Sequence, residues 1–178
     1  NHKAVRLVKD ENNHIKEVVC TTPEGEVSFE ADIVISSMPV KDLVAGMNDV
    51  PEDMRTIAEG LPYRDYLTLG VLVPKLLLNN KTKHKTIGNI IPDNWVYVHD
   101  RGIHMGRFQI YNNWSPYMVK DLENTVWVGL EYFCYENDEW WNMSEDEFAK
   151  FAIEDMVKLG LIDSADSVLD YHEEKVKK

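Results

Sequence analysis

Cysteine is scarce in this 178-residue chain: Cys20 and Cys134 are its only two, far apart and each inside an apolar or β-rich stretch. That excludes a disulfide framework and leaves two small buried thiols, a usage typical of a reducing compartment, so a cytoplasmic chain is expected. Basic charge is also in short supply. Lys and Arg number 19 against 31 Asp and Glu, a net charge of −12. No long basic run gathers the positive charge that a nucleic acid or an anionic membrane attracts, and neither partner is expected. Long apolar runs are missing: none approaches the roughly 18 residues that span a bilayer. The start Asn1-His2-Lys3 is too polar for a signal peptide. The nine glycines form neither G-x-G-x-x-G nor a Walker-type loop, so the chain supplies no phosphate-cradling turn. There is no initiator Met at position 1, and the last residues read as a strand, which points to a piece of a longer protein.

What is present suits a packed domain. A hydrophobic share of 44% excludes a disordered chain, and a chain of this length buries roughly 70% of its unfolded surface without needing disulfides or metal. Residues 5–35 alternate as strands, with turns at Asp10-Glu11-Asn12-Asn13 and Pro23-Glu24-Gly25, and so read as a β-meander. It runs into Ala31-Asp32-Ile33-Val34-Ile35, which has the β-branched character of a strand buried on both faces. Pro39 suits the first position of a short helix, 40–47, and a second helix is expected from Pro51 to Gly60. Strands follow at 66–73, 95–99, 108–111 and 125–135, with 75–93 mostly loop. The spacing of Phe148, Phe151, Ala152, Met156 and Leu159 predicts a helix over 144–161, with Ser144 and Glu147 as a capping box and Gly160 as its stop. A last strand is expected at 168–176. The sum is α+β: mainly antiparallel or mixed β-sheet covered by a few helices.

Several side-chain constellations have a functional and a plain reading. His99, Asp100 and His104 are metal-ligating types, but His-x4-His fits neither a helical pair nor a CxxC-type site, so a loop holding two histidines is expected and no metal. Cys134 has no paired His at a telling spacing and reads as a core thiol. The acids of 136–139 and 145–147 suit a solvated helix start. Asn80-Lys81-Thr82 and Asn142-Met143-Ser144 match a glycosylation pattern with nothing else speaking for secretion. Trp127 alternates with Val126 and Val128 and reads as core. In Gly106–Trp114, alternation puts Arg107, Gln109 and Tyr111 on one face and Phe108 and Ile110 on the other. That polar face suits either an anionic or sugar-like ligand, or plain solvent exposure.

The run Ala31-Asp32-Ile33-Val34-Ile35-Ser36-Ser37-Met38-Pro39 resembles the strand-then-Pro signature of flavin amine-oxidase-like proteins, the group that includes protoporphyrinogen oxidases and UDP-galactopyranose mutases. Leu61–Tyr66, Asn94–Val98, Gly106–Pro116 and Gly129–Phe133 resemble a bacterial branch of amine-oxidase or mutase-related proteins. The resemblance covers nearly the whole chain. It implies an FAD-dependent parent whose dinucleotide fingerprint lies upstream and whose second flavin motif lies downstream. Residues 1–39 would then be a strip of its Rossmann-like FAD-binding domain and 40–178 its substrate-binding domain. Val5 would pass the adenosine part of FAD, and Ser36, Ser37, Met38 and Pro39 would lie close to the cofactor. Arg64, Arg107, Tyr111 and Trp114 would be on the substrate side. The implied reaction is oxidation by hydride transfer to flavin, with a small-molecule substrate such as an amine. The rivals are a mutase acting on a nucleotide-sugar and a non-catalytic carbohydrate- or protein-binding module. The chain by itself is expected to be inactive and to retain no FAD.

Overall fold

The computed structural model describes residues 2–177. The chain divides into two compact units, Asn1–Tyr63 and Arg64–Lys178. In the first, the alternating runs pair as an antiparallel meander of β1 (Lys3–Lys9), β2 (Ile15–Thr22) and β3 (Gly25–Glu30). The first turn is set by Asp10, whose carboxylate accepts the N–H groups of Asn12 and His14, each at 2.9 Å, with Asn13 at φ 65°. Two short helices follow, α1 (Val40–Ala45) and α2 (Glu52–Glu59). Pro39 and Pro51 are their N-caps and not, as expected, the first helical residues; both have ψ near 140°, outside the helical range. Leu7 N–H donates to the Gly46 carbonyl (2.8 Å), tying β1 to the end of α1. Few side chains of this unit are buried: Leu7, Val19, Cys20 and Ala58.

The strand expected at Ala31–Ile35 does not form. Those residues lie outside any helix or strand, and Ile33 and Ile35 are 82% and 92% exposed. The physical reason is pairing: a strand apolar on both faces needs neighbours on both edges and cover on both faces, and among the described residues none pairs with it.

The second unit is built on a five-stranded antiparallel sheet in the order β5-β6-β7-β4-β8. Its strands are β4 (Asp65–Val73), β5 (Trp95–Tyr97), β6 (Arg107–Ile110), β7 (Val126–Cys134) and β8 (Asp170–Val176). Central strands β4 and β7 pair without a break from Asp65↔Cys134 to Val73↔Val126. Alternation sends Leu67, Leu69, Val71, Val73, Phe108, Ile110, Val128, Leu130 and Tyr132 to one face, where all are buried. The helix α4 (Glu145–Lys158) covers that face with Phe148, Ala149, Ala152, Ile153 and Met156. Each such large apolar side chain contributes about 1.5–3 kcal/mol on burial. The expected capping box of Ser144 and Glu147 is formed, and Gly160 closes the helix at φ 68°. Two edges differ from expectation. Strand β5 stops at Tyr97, and Tyr111 opens a one-turn helix, α3 (Tyr111–Trp114), instead of ending β6. Both cysteines are buried and unpaired, and burial pushes the Cys134 thiol up, away from nucleophilic thiolate.

The contrast between a thin and a full core sets the order of opening. Amide hydrogen exchange should open Val5–Phe29 well before Val126–Phe133. Equal protection of the two stretches would contradict this difference in packing.

Candidate functional site

The other face of the five-stranded sheet is the one that α4 does not cover, and the register dictates what it presents. Across it run Tyr97, Arg107, Glu131, Thr68 and Glu174 in one row, and Trp95, Gln109, Gly129, Gly70 and His172 in the next. Trp127, expected in the core, stands on this face too, because its neighbours Val126 and Val128 take the core side.

Glu131 is the centre of the face. Only 2% exposed, it sits in the apolar run of β7, and a carboxylate in that position must be paired. It is paired twice: Arg107 Nε, directly across on β6, and Gln109 Nε2 both donate to it. Arg107 is in turn gripped by rings, its guanidinium 4.2 Å from the Trp95 centroid and 5.0 Å from that of Phe133. Phe133 can lie there because residue 106 is glycine, where a Cβ would come within 2.7 Å of the ring. The stack continues at both ends. Trp114 meets Trp95 edge-on at 6.1 Å. Arg64 lies over Phe133 and Tyr135 at 5.9 and 5.4 Å and donates to the Phe133 carbonyl at 2.8 Å. Guanidinium–ring contacts of this kind are worth about 0.5–2 kcal/mol each.

Tyr111 lies across Gly129: a Cβ at that residue would be 2.5 Å from the phenol oxygen and 2.9 Å from Cζ. Burial, with the charge of Glu131 behind it, pushes the phenol pKa up, so Tyr111 stays protonated. Beside it opens a cleft of about 340 Å³ lined by Thr68, Gly70, Tyr111, Trp127, His172 and Glu174.

Arg64, Arg107 and Trp114 are therefore held within one assembly of rings and guanidinium groups on the same sheet face, and Tyr111 lies beside it over Gly129. Arg107 is 18% exposed in its side chain and already ion-paired, not a solvated cation. Val5, Ser36, Ser37, Met38 and Pro39 all lie in the first unit. Val5 is on β1; Ser36 and Ser37 are exposed, and Ser36 Oγ accepts the Met38 N–H at 3.4 Å. Small exposed residues on irregular backbone fit a close approach by a cofactor's edge. His99 stacks on Tyr97 and His104 packs on Trp140 and Phe151; among the described residues no three metal-ligating side chains gather. Glu131 escaped the sequence reading, although one acid inside Val126–Cys134, in phase with Trp127 and Phe133, is the signal that marks it.

No protein-family model and no curated protein matches the chain. Solved structures do. A reduced UDP-galactopyranose mutase aligns with 99% of the chain at 16% identity, with a TM-score of 0.58. A putrescine oxidase redesigned in its cofactor binding aligns with 97% at 10% identity and a TM-score of 0.55. A protein assigned as a protoporphyrinogen oxidase, from Exiguobacterium sp. 255-15, aligns with 98% at 11% identity and a TM-score of 0.52. At these identities the likeness is one of fold. The chain spans about a third of the length of each, 34% in all three cases.

The geometry predicts a steric coupling. Gly129→Ala should destabilise by about 1–3 kcal/mol, the usual cost of overpacking, and Tyr111→Ala in the same chain should recover most of it, as read by denaturant unfolding. Strictly additive losses would mean that Tyr111 does not rest on Gly129.

Proposed function

We propose that this chain is part of an FAD-dependent oxidoreductase of amine-oxidase-like type, with residues 1–39 on its FAD-binding side and 40–178 forming its substrate-binding domain. The observation that carries this reading is the match of 97–99% of the chain to about a third of three flavin-group or amine-oxidising proteins, joined to the strand-then-Pro run ending at Pro39. Bound FAD would supply the acceptor for a hydride from the substrate. Val5 and Ser36–Pro39 would hold its edge; the pyrophosphate cradle is not among these residues, since no Gly-rich fingerprint occurs in the chain.

In this reading the sheet face opposite α4 binds and orients a small molecule. Arg107 is fixed by Glu131, Trp95 and Phe133, with Nη1 donating to the Tyr97 hydroxyl at 3.5 Å, so its remaining guanidinium edge is ordered before a ligand binds. Tyr111 offers a protonated phenol beside the cleft, and Trp114 with Trp95 forms an exposed aromatic rim. That rim favours a second reading, a mutase-like flavoenzyme taking a nucleotide-sugar, because sugar rings pack on exposed indoles. Both readings place the chain in a parent of cytoplasmic location with a small-molecule substrate.

The test has two arms. The chain itself should emerge from gel filtration without flavin, whereas the longest open reading frame that contains it should be yellow and bleach anaerobically with its substrate. Amine-driven bleaching supports the oxidase, and turnover of a nucleotide-sugar only after chemical reduction supports the mutase. A full-length protein that binds no flavin overturns the proposal.

A further inference from the structure

From Pro74 to Pro92 the chain has no Asp or Glu, while Lys75, Lys81, Lys83, His84 and Lys85 occur there. In the structure that stretch doubles back on itself like a hairpin. Asn80 N–H donates to the Asn89 carbonyl at 2.9 Å, and Asn79 bridges Ile90. The tip is tied internally: Asn80 Oδ1 accepts the Thr82 N–H at 2.8 Å, His84 N–H donates to Thr82 Oγ1 at 3.1 Å, and Asn80 Nδ2 donates to Thr86 Oγ1 at 3.2 Å. These bonds use amides and hydroxyls and leave the lysines with no structural task. The Ser167 hydroxyl mainly holds the Asp163 carboxyl down, with a smaller contribution from the charge of nearby Lys75. Among the described residues Lys81, Lys83 and Lys85 make no ion pair. Two aliphatic side chains flank the tip on its two arms, Leu77 at 43% exposure and Ile87 at 51%.

We infer that this tip, Lys81–Lys85 with Leu77 and Ile87 beside it, is a docking surface for an anionic lipid bilayer. The residue types choose the partner. A protein partner is gripped mainly by Trp, Tyr and Arg, none of which occurs from Pro74 to Pro92, and single-stranded nucleic acid needs several stacking rings, of which the stretch has His84 alone. Lysine is a compact, hydrated point charge suited to diffuse attraction by lipid headgroups, and aliphatic side chains beside it reach the headgroup boundary. Net charge does not forbid this. At physiological salt the Debye length is about 8 Å, so attraction is set by the charges nearest the bilayer, and between Pro74 and Pro92 these are all basic. This inference stands apart from the flavoenzyme reading, since it uses neither the sheet face opposite α4 nor any cofactor.

The test is co-sedimentation of the chain with phosphatidylcholine vesicles, with and without about 20% phosphatidylserine. Binding is expected only to the anionic vesicles and should weaken as salt is raised. The variant K81A/K83A/K85A should lose on the order of a hundredfold in affinity, roughly fivefold per lysine. L77S/I87S should bind more weakly while keeping the same salt dependence. All these positions are exposed, so melting temperatures should not move. Equal binding to neutral vesicles, no binding to anionic ones, or full retention by the triple variant overturns the inference. So does tighter, lysine-dependent binding to a single-stranded oligonucleotide than to vesicles.

Discussion

A carboxylate buried in the middle of a sheet dictates how one whole face of this molecule is arranged. Glu131 is almost fully removed from water on a strand that otherwise reads as core, and an unpaired charge there would be prohibitive. Arg107 and Gln109 answer it from the neighbouring strand. Fixing Arg107 in turn recruits Trp95 and Phe133 around its guanidinium, and each ring needs room that glycine or an edge strand provides. The ring–guanidinium stack from Trp114 to Arg64 follows from that one requirement.

The two faces of the sheet obey different rules. On the covered face, burial of aliphatic and aromatic side chains under α4 supplies most of the stability of Arg64–Lys178 and tolerates exchange among similar volumes. On the opposite face the cost of desolvating charge is offset by hydrogen bonds and ring contacts, which are directional and hold their members in defined positions. Such a face is held in one arrangement at the expense of stability.

Period-two alternation made the strands legible, and the capping box with Gly160 made α4 legible, because those signals are local. The α+β class followed from their order. The face of Arg107, Gln109 and Tyr111 was also readable by alternation, although Tyr111 reaches it from a helical turn over Gly129 and not from the strand. Partnership was not readable. Ala31–Ile35 has strand composition but no strand beside it among the described residues, and which acid Arg107 pairs with was hidden because Glu131 is 24 positions away and meets it only through the register of β6 and β7.

The account depends most on the Glu131–Arg107 pair, and a double-mutant cycle measures it directly. Arg107→Met, Glu131→Gln and the double variant would be compared in this chain by denaturant unfolding. Breaking a largely buried pair from the Arg107 side should cost about 2–4 kcal/mol, because it leaves the carboxylate buried with Gln109 alone. The double variant should be less damaged than the sum of the two, with a coupling of at least about 1 kcal/mol. A coupling within about 0.3 kcal/mol of zero would contradict the account, for it would mean that Glu131 and Arg107 hold their places independently.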